Sequence, residues 1–577
     1  MSGYRYAQAI IRHLVHQGVR CAVFASGSRS VLLAHAASFE EQLHKVMHFD
    51  ERGAAFYAYG YAKSSQTPVL LFVTSGTAVA NLFPAVMESS LQQVPLIIIT
   101  ADRPHEARDC GFNQICDQVK IFGSYVRWYF EMPCYEAELS EGFIGSTLAY
   151  AVYRATRIPQ GPVHLNCLFR EPFSFFHAHE EMVPSTHYES VPSIPLTSTL
   201  ERLATKLSSH KRGVILVGGL KTADSFNSIY QLSMQLDWPI LSDITSGMRS
   251  SGEHPSLIPY YHHLLREGLL SAPDCILQLG DRLISKQVAH WIERSRPLTY
   301  LMVADHPYRF DPLHRLTDRI ECNPHLFCEL LLPLIPKRSS WLDQWRTFSE
   351  VVKNSISSYL PLHSEPGIIH FLQKYLPAHF LLFIANSMPI RDAESFFFPS
   401  ASKGPIFCNR GSSGIDGNIA TAVGLAEGTQ QPLLAIVGDL ATLHDLNSFA
   451  LLKRATVPVV VLIINNRGGG IFSFLPYAKE KKFLEEYVVY DHEWEFAAGA
   501  KLFDIPYLFL PDLLPLHALF KEEKTAIVEW QGHRETNQLL HQYLDEEIGK
   551  MIQEKRESLI LKRSTRELHL FCTDSRS

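Results

Sequence analysis

The 577-residue sequence has no CxxC pair, no basic excess and no long apolar run. Its ten cysteines are scattered. The nearest pairs, Cys110/Cys116 and Cys322/Cys328, do not have the spacing of a zinc module. Reduced thiols, several of them buried, are the expectation. A formal charge of −6 gives no general attraction to nucleic acid or to an anionic membrane. Apolar runs reach only about ten residues, short of the roughly 20 that cross a bilayer. The amino-terminal stretch MSGYRYAQAIIRHLVHQGVR is amphipathic and lacks the apolar core and cleavage site of a signal peptide. A cytoplasmic protein with no membrane span and no nucleic-acid partner is expected.

What is present is an ordinary globular balance, 46% hydrophobic and 19% charged. At roughly 100–200 residues per domain the length fits about three to five domains, three being the compact choice. Short β-branched runs alternate with helical stretches. Strands are expected at Val69–Val73, Leu96–Thr100, Val214–Val217, Cys275–Leu279, Thr299–Val303, Leu381–Ala385, Leu433–Val437, Val459–Ile464 and Ala526–Glu529. None alternates polar with apolar, as befits parallel strands buried on both faces. This predicts an α/β fold of consecutive parallel-sheet, three-layer domains. His177–Thr197 and Pro333–Ser340 read as connections, which places domains at 1–180, 195–335 and 355–545. A charged, helical tail follows at 546–577. The first and third blocks could share a fold without sharing residues.

The strongest chemical signal lies in the third block. Strand Leu433–Val437 runs into Gly438-Asp439, and strand Val459–Ile464 into Asn465-Asn466, with Asn466 27 positions after Asp439. Gly468, Gly469 and Gly470 follow. Open α/β sheets bind ligands at such carboxyl ends. Magnesium wants hard oxygen donors and usually shares them with phosphate. Asp439 offers a carboxylate, Asn466 an amide oxygen, and Gly468 a backbone carbonyl at a turn that glycine permits. This GD…NN spacing is the thiamine-diphosphate fingerprint, although Leu440 stands where glycine is usual. A capping Asp and a turn-forming Asn-Asn pair are the plainer reading of the same dipeptides.

Thiamine chemistry needs a carboxyl group hydrogen-bonded to the cofactor's pyrimidine ring, while the cofactor itself carries the carbanion. Glu51, in His48-Phe-Asp-Glu-Arg-Gly53, is the candidate. It precedes the small-residue stretch Ala54–Ala62, suited to close packing. A solvated helix start is the commoner fate of such an Asp-Glu-Arg triplet.

Seven segments together resemble 2-succinyl-5-enolpyruvyl-6-hydroxy-3-cyclohexene-1-carboxylate synthases of menaquinone biosynthesis. They are SGSRS (Ser26–Ser30), DERGAAFYAYGYAK (Asp50–Lys63), TSGTAVANLFPAVMES (Thr74–Ser89), ITADRPHEARDCGFNQ (Ile99–Gln114), NRGSSGIDG (Asn409–Gly417), GDLATLHDLNS (Gly438–Ser448) and NNRGGGIFSFLP (Asn465–Pro476). The resemblance covers the first and third blocks well and the middle block thinly. It implies pyrimidine-binding, central and diphosphate-binding domains, and a homodimer or dimer of dimers with active sites between subunits. Thiamine diphosphate and Mg2+ are the implied cofactors, with Mn2+ as a substitute. Glu51 would serve cofactor held mainly by its partner's Gly438, Asp439 and Asn466. Ile415 resembles the bulky residue that bends the cofactor. Ile471, Phe472 and Leu475 would form the apolar wall that keeps water from the carbanion.

The implied reaction decarboxylates 2-oxoglutarate and adds the remaining fragment, by conjugate addition, to isochorismate. Each substrate carries two carboxylates, which calls for arginine forks. Arg391 in NSMPIRD (Asn386–Asp392) and Arg410 in NRGSS resemble the residues that hold 2-oxoglutarate, with the Ser387 hydroxyl nearby. Ser28, Arg29, Arg103 and Gln114 resemble the isochorismate side, and Lys286 in GDRLISK (Gly280–Lys286) would reach in from the central domain. Taken singly, each cation is as well read as a surface salt bridge. Departures from the family pattern are Ser26 and Val31 in place of prolines, Gln287 in place of a second cation, and Arg467 in place of a neutral residue. Another thiamine-diphosphate 2-oxoacid decarboxylase, or an acetolactate-synthase-like carboligase, is the alternative. A simple pyruvate enzyme has no need of so many cations.

Overall fold

The computed structural model describes residues 3–135, 139–171, 173, 186–221, 223–266, 270–337, 341–399 and 405–574, and from 562 onward the backbone alone. Much of the connection expected at His177–Thr197 and the end of that at Pro333–Ser340 therefore lie outside the described residues.

Three parallel sheets follow one another along the chain. The first holds β1 (Cys21–Phe24), β2 (His44–Met47), β3 (Val69–Val73), β4 (Leu96–Asp102), β5 (Tyr129–Met132) and β6 (Val163–Leu168), in the order β2-β1-β3-β4-β6-β5. The second holds β7 (Gly213–Val217), β8 (Ile240–Ser242), β9 (Cys275–Leu279), β10 (Thr299–Ala304) and β11 (Asp318–Glu321), in the order β11-β10-β9-β7-β8. The third holds β12 (Leu381–Ile384), β13 (Ile406–Phe407), β14 (Leu433–Gly438), β15 (Val459–Asn465), β16 (Tyr507–Leu510) and β17 (Ala526–Gln531), in the order β13-β12-β14-β15-β17-β16. The first and third sheets thus have one topology, although their sequences share no visible repeat.

Every expected strand is present, and β3 and β9 have the predicted ends. These strands are buried throughout, which is why they read as unbroken apolar runs. Among the described residues eight further strands carry too weak a pattern to be read from sequence. Edge strand β2 (HKVM) alternates half-buried and exposed residues, and edge strand β11 (DRIE) is mostly charged.

Contacts between domains position the functional loops. Helix Glu51–Ser65 of the first domain crosses helix Asn418–Thr429 of the third, and a Cβ on Gly60 or Gly424 would overlap the backbone carbonyl of Thr421 or Tyr57 respectively. The small residues along both helices, Ala54, Ala58, Ala422 and Ala426 among them, are buried in the shared core. Helix Met388–Phe396 is tied to the central domain by a buried ion pair, Arg249 Nη2 to Glu394 Oε1 at 3.0 Å, and by the Tyr261 hydroxyl on the same carboxylate. A buried pair of this kind fixes geometry more than it adds stability.

Residues Arg534–Asp574 form one long helix that includes residues 546–574 of the expected charged tail. Among the described residues no helix is long and apolar enough to cross a membrane.

Candidate active site

The order of the third sheet reverses direction between β12 and β14, and a crevice opens at such a switch point. Asn386 and Ser387 follow β12, Asp439 follows β14, and Asn466 follows β15. All three strand ends therefore face the same edge.

Asp439 starts helix Asp439–His444 and is 3% exposed. Its Oδ1 accepts from the Leu440 N–H at 2.7 Å and its Oδ2 from the Gly468 N–H at 2.8 Å. His492 Nε2 lies 3.3 Å from the same Oδ2. The Trp494 N–H donates to His492 Nδ1, so a neutral imidazole carries its proton on the nitrogen facing Asp439. Gly468 has φ +95°, and a Cβ there would overlap the Tyr490 carbonyl, so only glycine fits this turn.

The two asparagines part company. Asn465 donates to Glu529 Oε1 (2.7 Å) and to the Trp494 carbonyl (2.9 Å), and so belongs to the sheet. Asn466 donates Nδ2 to Glu365 Oε1 at 3.0 Å, which directs its amide oxygen away from that carboxylate. Burial, then the negative charge of Asp392, pushes the Glu365 carboxyl up to about 8, against the Asn466 hydrogen bond.

The Asp439 carboxylate, the Asn466 amide oxygen and the Gly468 carbonyl would together make a hard, sparse donor set. Among the described residues no group of three or more His, Cys, Asp or Glu could hold a metal. A cation here would draw on amide and carbonyl oxygens and on phosphate, which suits magnesium. A Cβ on Gly438 would meet nothing within 4 Å, so open space lies in front of this loop.

Cations gather in two pairs. Arg391 donates to the Ser387 carbonyl at 2.5 Å and Arg410 to Asn386 Oδ1 at 2.7 Å, both neutral partners. Burial, and next the neighbouring Arg410 charge, lowers the Arg391 guanidinium from its ordinary range. On the first sheet Arg29 follows β1 and Arg103 follows β4. Arg103 donates to the Ser75 hydroxyl (2.9 Å) and the Gln114 carbonyl (2.7 Å), and Gln114 returns its side-chain N–H to the Ser75 carbonyl (3.0 Å). Arg29 donates to the Phe169 carbonyl and to Glu171, with burial and the Arg103 charge lowering it against Glu171. The Nε atoms of both Arg29 and Arg103 are buried without a hydrogen-bond partner. Like charges held together this way favour an anionic ligand.

Four residues of these loops have positive φ without being glycine: Gln114 (56°), Ser387 (75°), Ser413 (59°) and Arg467 (61°). Strain of this kind concentrates at functional sites.

The other expected site residues differ in their surroundings. Glu51, the first residue of its helix, accepts from Asn81 Nδ2 at 3.2 Å, while its neighbours reach the third domain: Asp50 accepts from Asn447 Nδ2 at 3.1 Å and Arg52 donates to the His444 carbonyl at 2.6 Å. Lys286 is exposed in the first turn of helix Lys286–Ser295. Ser28 is exposed, and Ile415 is 41% exposed. Ile471, Phe472 and Leu475 are half-buried on and just after a short 3-10 helix beside Asn466. A cavity of about 710 Å3 is walled by Arg410, Gly411 and Ser413 together with Lys63, Lys221 and Arg282, but not by Asp439 or Asn466.

Three family models match the chain in order. They are the thiamine pyrophosphate enzyme N-terminal TPP binding domain over residues 4–121, the middle domain of thiamine pyrophosphate over 186–384, and the thiamine pyrophosphate enzyme C-terminal TPP binding domain over 396–527. The 2-succinyl-5-enolpyruvyl-6-hydroxy-3-cyclohexene-1-carboxylate synthase of Salinibacter ruber is 35% identical, covering 96% of this chain and 97% of that protein. The chain belongs to this synthase family. The synthase of the same name from Rubrobacter xylanophilus is 37% identical, covering 87% of this chain and 90% of that protein. The one from Listeria innocua is 34% identical, covering 94% and 97%. Among solved structures, benzoylformate decarboxylase from Polynucleobacter necessarius superposes with a TM-score of 0.73 at 17% identity, covering 92% of this chain and 98% of that one, which shows the shared fold.

In this synthase-family chain, sequence reasoning assigned no role to Glu88, Glu365 or His492. Glu88, 2% exposed, accepts from the backbone N–H groups of Gly411 (2.8 Å) and Ser412 (2.6 Å). It thereby ties the first domain to the loop that carries Arg410. Its place inside TSGTAVANLFPAVMES was the available signal. Neither Glu365 nor His492 lies in any of the seven family-like segments.

Proposed function

We propose that this chain joins 2-oxoglutarate to isochorismate with loss of carbon dioxide, giving 2-succinyl-5-enolpyruvyl-6-hydroxy-3-cyclohexene-1-carboxylate. The observation that carries the reading is the edge shared by Asp439, Asn466 and Gly468 with the Arg391–Arg410 pair, in a chain of this family. Thiamine diphosphate, when bound, supplies the carbanion chemistry at the keto carbon. Asp439, Asn466 and the Gly468 carbonyl would hold Mg2+, or Mn2+ in its place, against the diphosphate.

Arg391 and Arg410, with Ser387, hold the carboxylates of 2-oxoglutarate. A pair of cations with neutral protein partners suits a dicarboxylate better than pyruvate, whose single carboxylate leaves one of them unmatched. Ser28, Arg29, Arg103 and Gln114 take isochorismate, and Lys286 reaches in from the central domain. Ile415 would support the cofactor by its bulk. Ile471, Phe472 and Leu475 exclude water from the reacting carbon, since a proton from solvent would end the reaction at the aldehyde. Domain limits at 1–180, 195–335 and 355–545 assign these groups to pyrimidine-binding, central and diphosphate-binding units.

Glu51 bonds within its own domain, while the large cavity bypasses Asp439. This fits a homodimer, or dimer of dimers, in which Glu51 of the partner subunit completes the site. The test is direct. Protein, Mg2+, thiamine diphosphate, 2-oxoglutarate and isochorismate are incubated together, and the condensed product is sought by mass. Its appearance supports the reading, and turnover of pyruvate without 2-oxoglutarate turnover removes it.

A further inference from the structure

Glu365 is the first residue of helix Glu365–Tyr375 and is 2% exposed. Its helix start is capped by Ser364, whose hydroxyl accepts from the Gly367 N–H at 3.0 Å. That cap already satisfies the helix end, so the carboxylate is not needed for it. Instead Oε1 accepts from Asn466 Nδ2, and Oε2 is buried without a hydrogen-bond partner.

The Asn466 side chain is closely confined. A Cβ on Gly470 would stand 2.6 Å from its Nδ2, and a Cβ on Gly532 would stand 3.5 Å from its Cβ and 3.4 Å from Glu365 Oε1. Both neighbours being glycine, the amide and the carboxylate lie against each other with no side chain between them. An amide can turn end for end at little cost unless its partners distinguish oxygen from nitrogen. A carboxyl oxygen that accepts a hydrogen bond, as Glu365 Oε1 does, makes that distinction, because only the NH2 end of the amide can donate to it.

We infer that Glu365 is a positioning residue for the cation site. It holds the Asn466 amide so that Oδ1, not Nδ2, faces the metal. The inference rests on the reading of Asn466 as a metal ligand. It extends that reading to a residue 101 positions away in sequence. Partners that orient a metal ligand typically change metal affinity by roughly 10–100-fold when removed. Glu365 does not touch substrate, so its loss acts through the ion.

The experiment uses the full-length protein with thiamine diphosphate and measures Mn2+ binding by electron paramagnetic resonance. Glu365→Met fills similar space but accepts no hydrogen bond, whereas Glu365→Gln can still present an oxygen to Asn466. The expected result is at least a roughly tenfold weaker Mn2+ affinity for E365M and a clearly smaller change for E365Q. In an Asn466→Ala background the E365M effect disappears. At saturating Mn2+ the KM for 2-oxoglutarate is unchanged. Equal affinities for E365M and the unsubstituted protein would overturn the inference, as would an E365M effect that persists undiminished with N466A. If E365M is recovered unfolded, Gly470→Ala, whose Cβ would press on Asn466 Nδ2 and disturb its bond to Glu365, must weaken Mn2+ to a similar degree; unaltered binding by G470A overturns the inference as well. Failure of the unsubstituted protein to bind Mn2+ would instead remove the metal-site reading itself.

Discussion

The Glu88 carboxylate spans the boundary between the first and third domains, accepting one hydrogen bond from Gly411 N–H and another from Ser412 N–H. Arg410, the residue before them, inherits its position from that bridge. Glu88→Ala leaves both N–H groups without their protein partner, at a net cost of about 0.5–1.5 kcal/mol for each hydrogen bond lost. The expected outcome is a lower unfolding midpoint together with a raised KM for 2-oxoglutarate. Loss of stability with an unchanged KM would show that the loop keeps its shape without Glu88.

The two arginine pairs predict separable effects. Arg391→Ala and Arg410→Ala each remove charge-assisted hydrogen bonds of about 1.5–3 kcal/mol, so KM for 2-oxoglutarate should rise by roughly ten- to a hundredfold. Arg103→Ala should act on KM for isochorismate instead. Steady-state kinetics with one substrate varied at a time reads the split. An R103A enzyme impaired only toward 2-oxoglutarate would reverse the assignment of the two sheet edges.

Asp445 gives the fold a pH dependence of defined sign. Its Oδ2 accepts from the Ile419 and Ala420 N–H groups at the start of helix Asn418–Thr429, yet burial outweighs these bonds and pushes the carboxyl up to about 6. A carboxyl whose folded value is raised holds extra protons in the native state, so its contribution to stability is complete below its ordinary value and is lost as pH rises to about 6. Asp445→Asn keeps an acceptor and removes the titration. The stability of D445N relative to the parent should therefore rise between its ordinary value of 3.8 and about pH 6 and then level off. Chemical denaturation across that range measures it, and a difference that stays flat refutes the claim.

How much of this could be read in advance depends on where each residue sits. Asp439, Asn466 and Gly468 stood out in the sequence because they follow two adjacent parallel strands, β14 and β15, and the crossover between such neighbours fixes their spacing. The central strands were legible because burial on both faces leaves them uniformly apolar. Strands β2 and β11 were not, since an edge exposed to water tolerates His, Lys, Asp and Arg. Glu365 was hidden for another reason. Ser364-Glu365-Pro366 has the composition of an exposed helix start, and only the tertiary fold carries Asn466 against it. Glu88 likewise reads as a helix-surface glutamate until the third domain covers it.

The claim on which the account turns is that each cofactor is held by two chains, with Glu51 from one and Asp439 from the other. Glu51→Gln and Asp439→Ala homodimers, each inactive, are mixed under conditions that exchange subunits. In a random mixture half the dimers pair the two variants, and each of these has one intact site of two, so about a quarter of the unsubstituted activity should return. If activity stays at the level of the separate variants although exchange is demonstrated, both groups act within one chain and the account is contradicted.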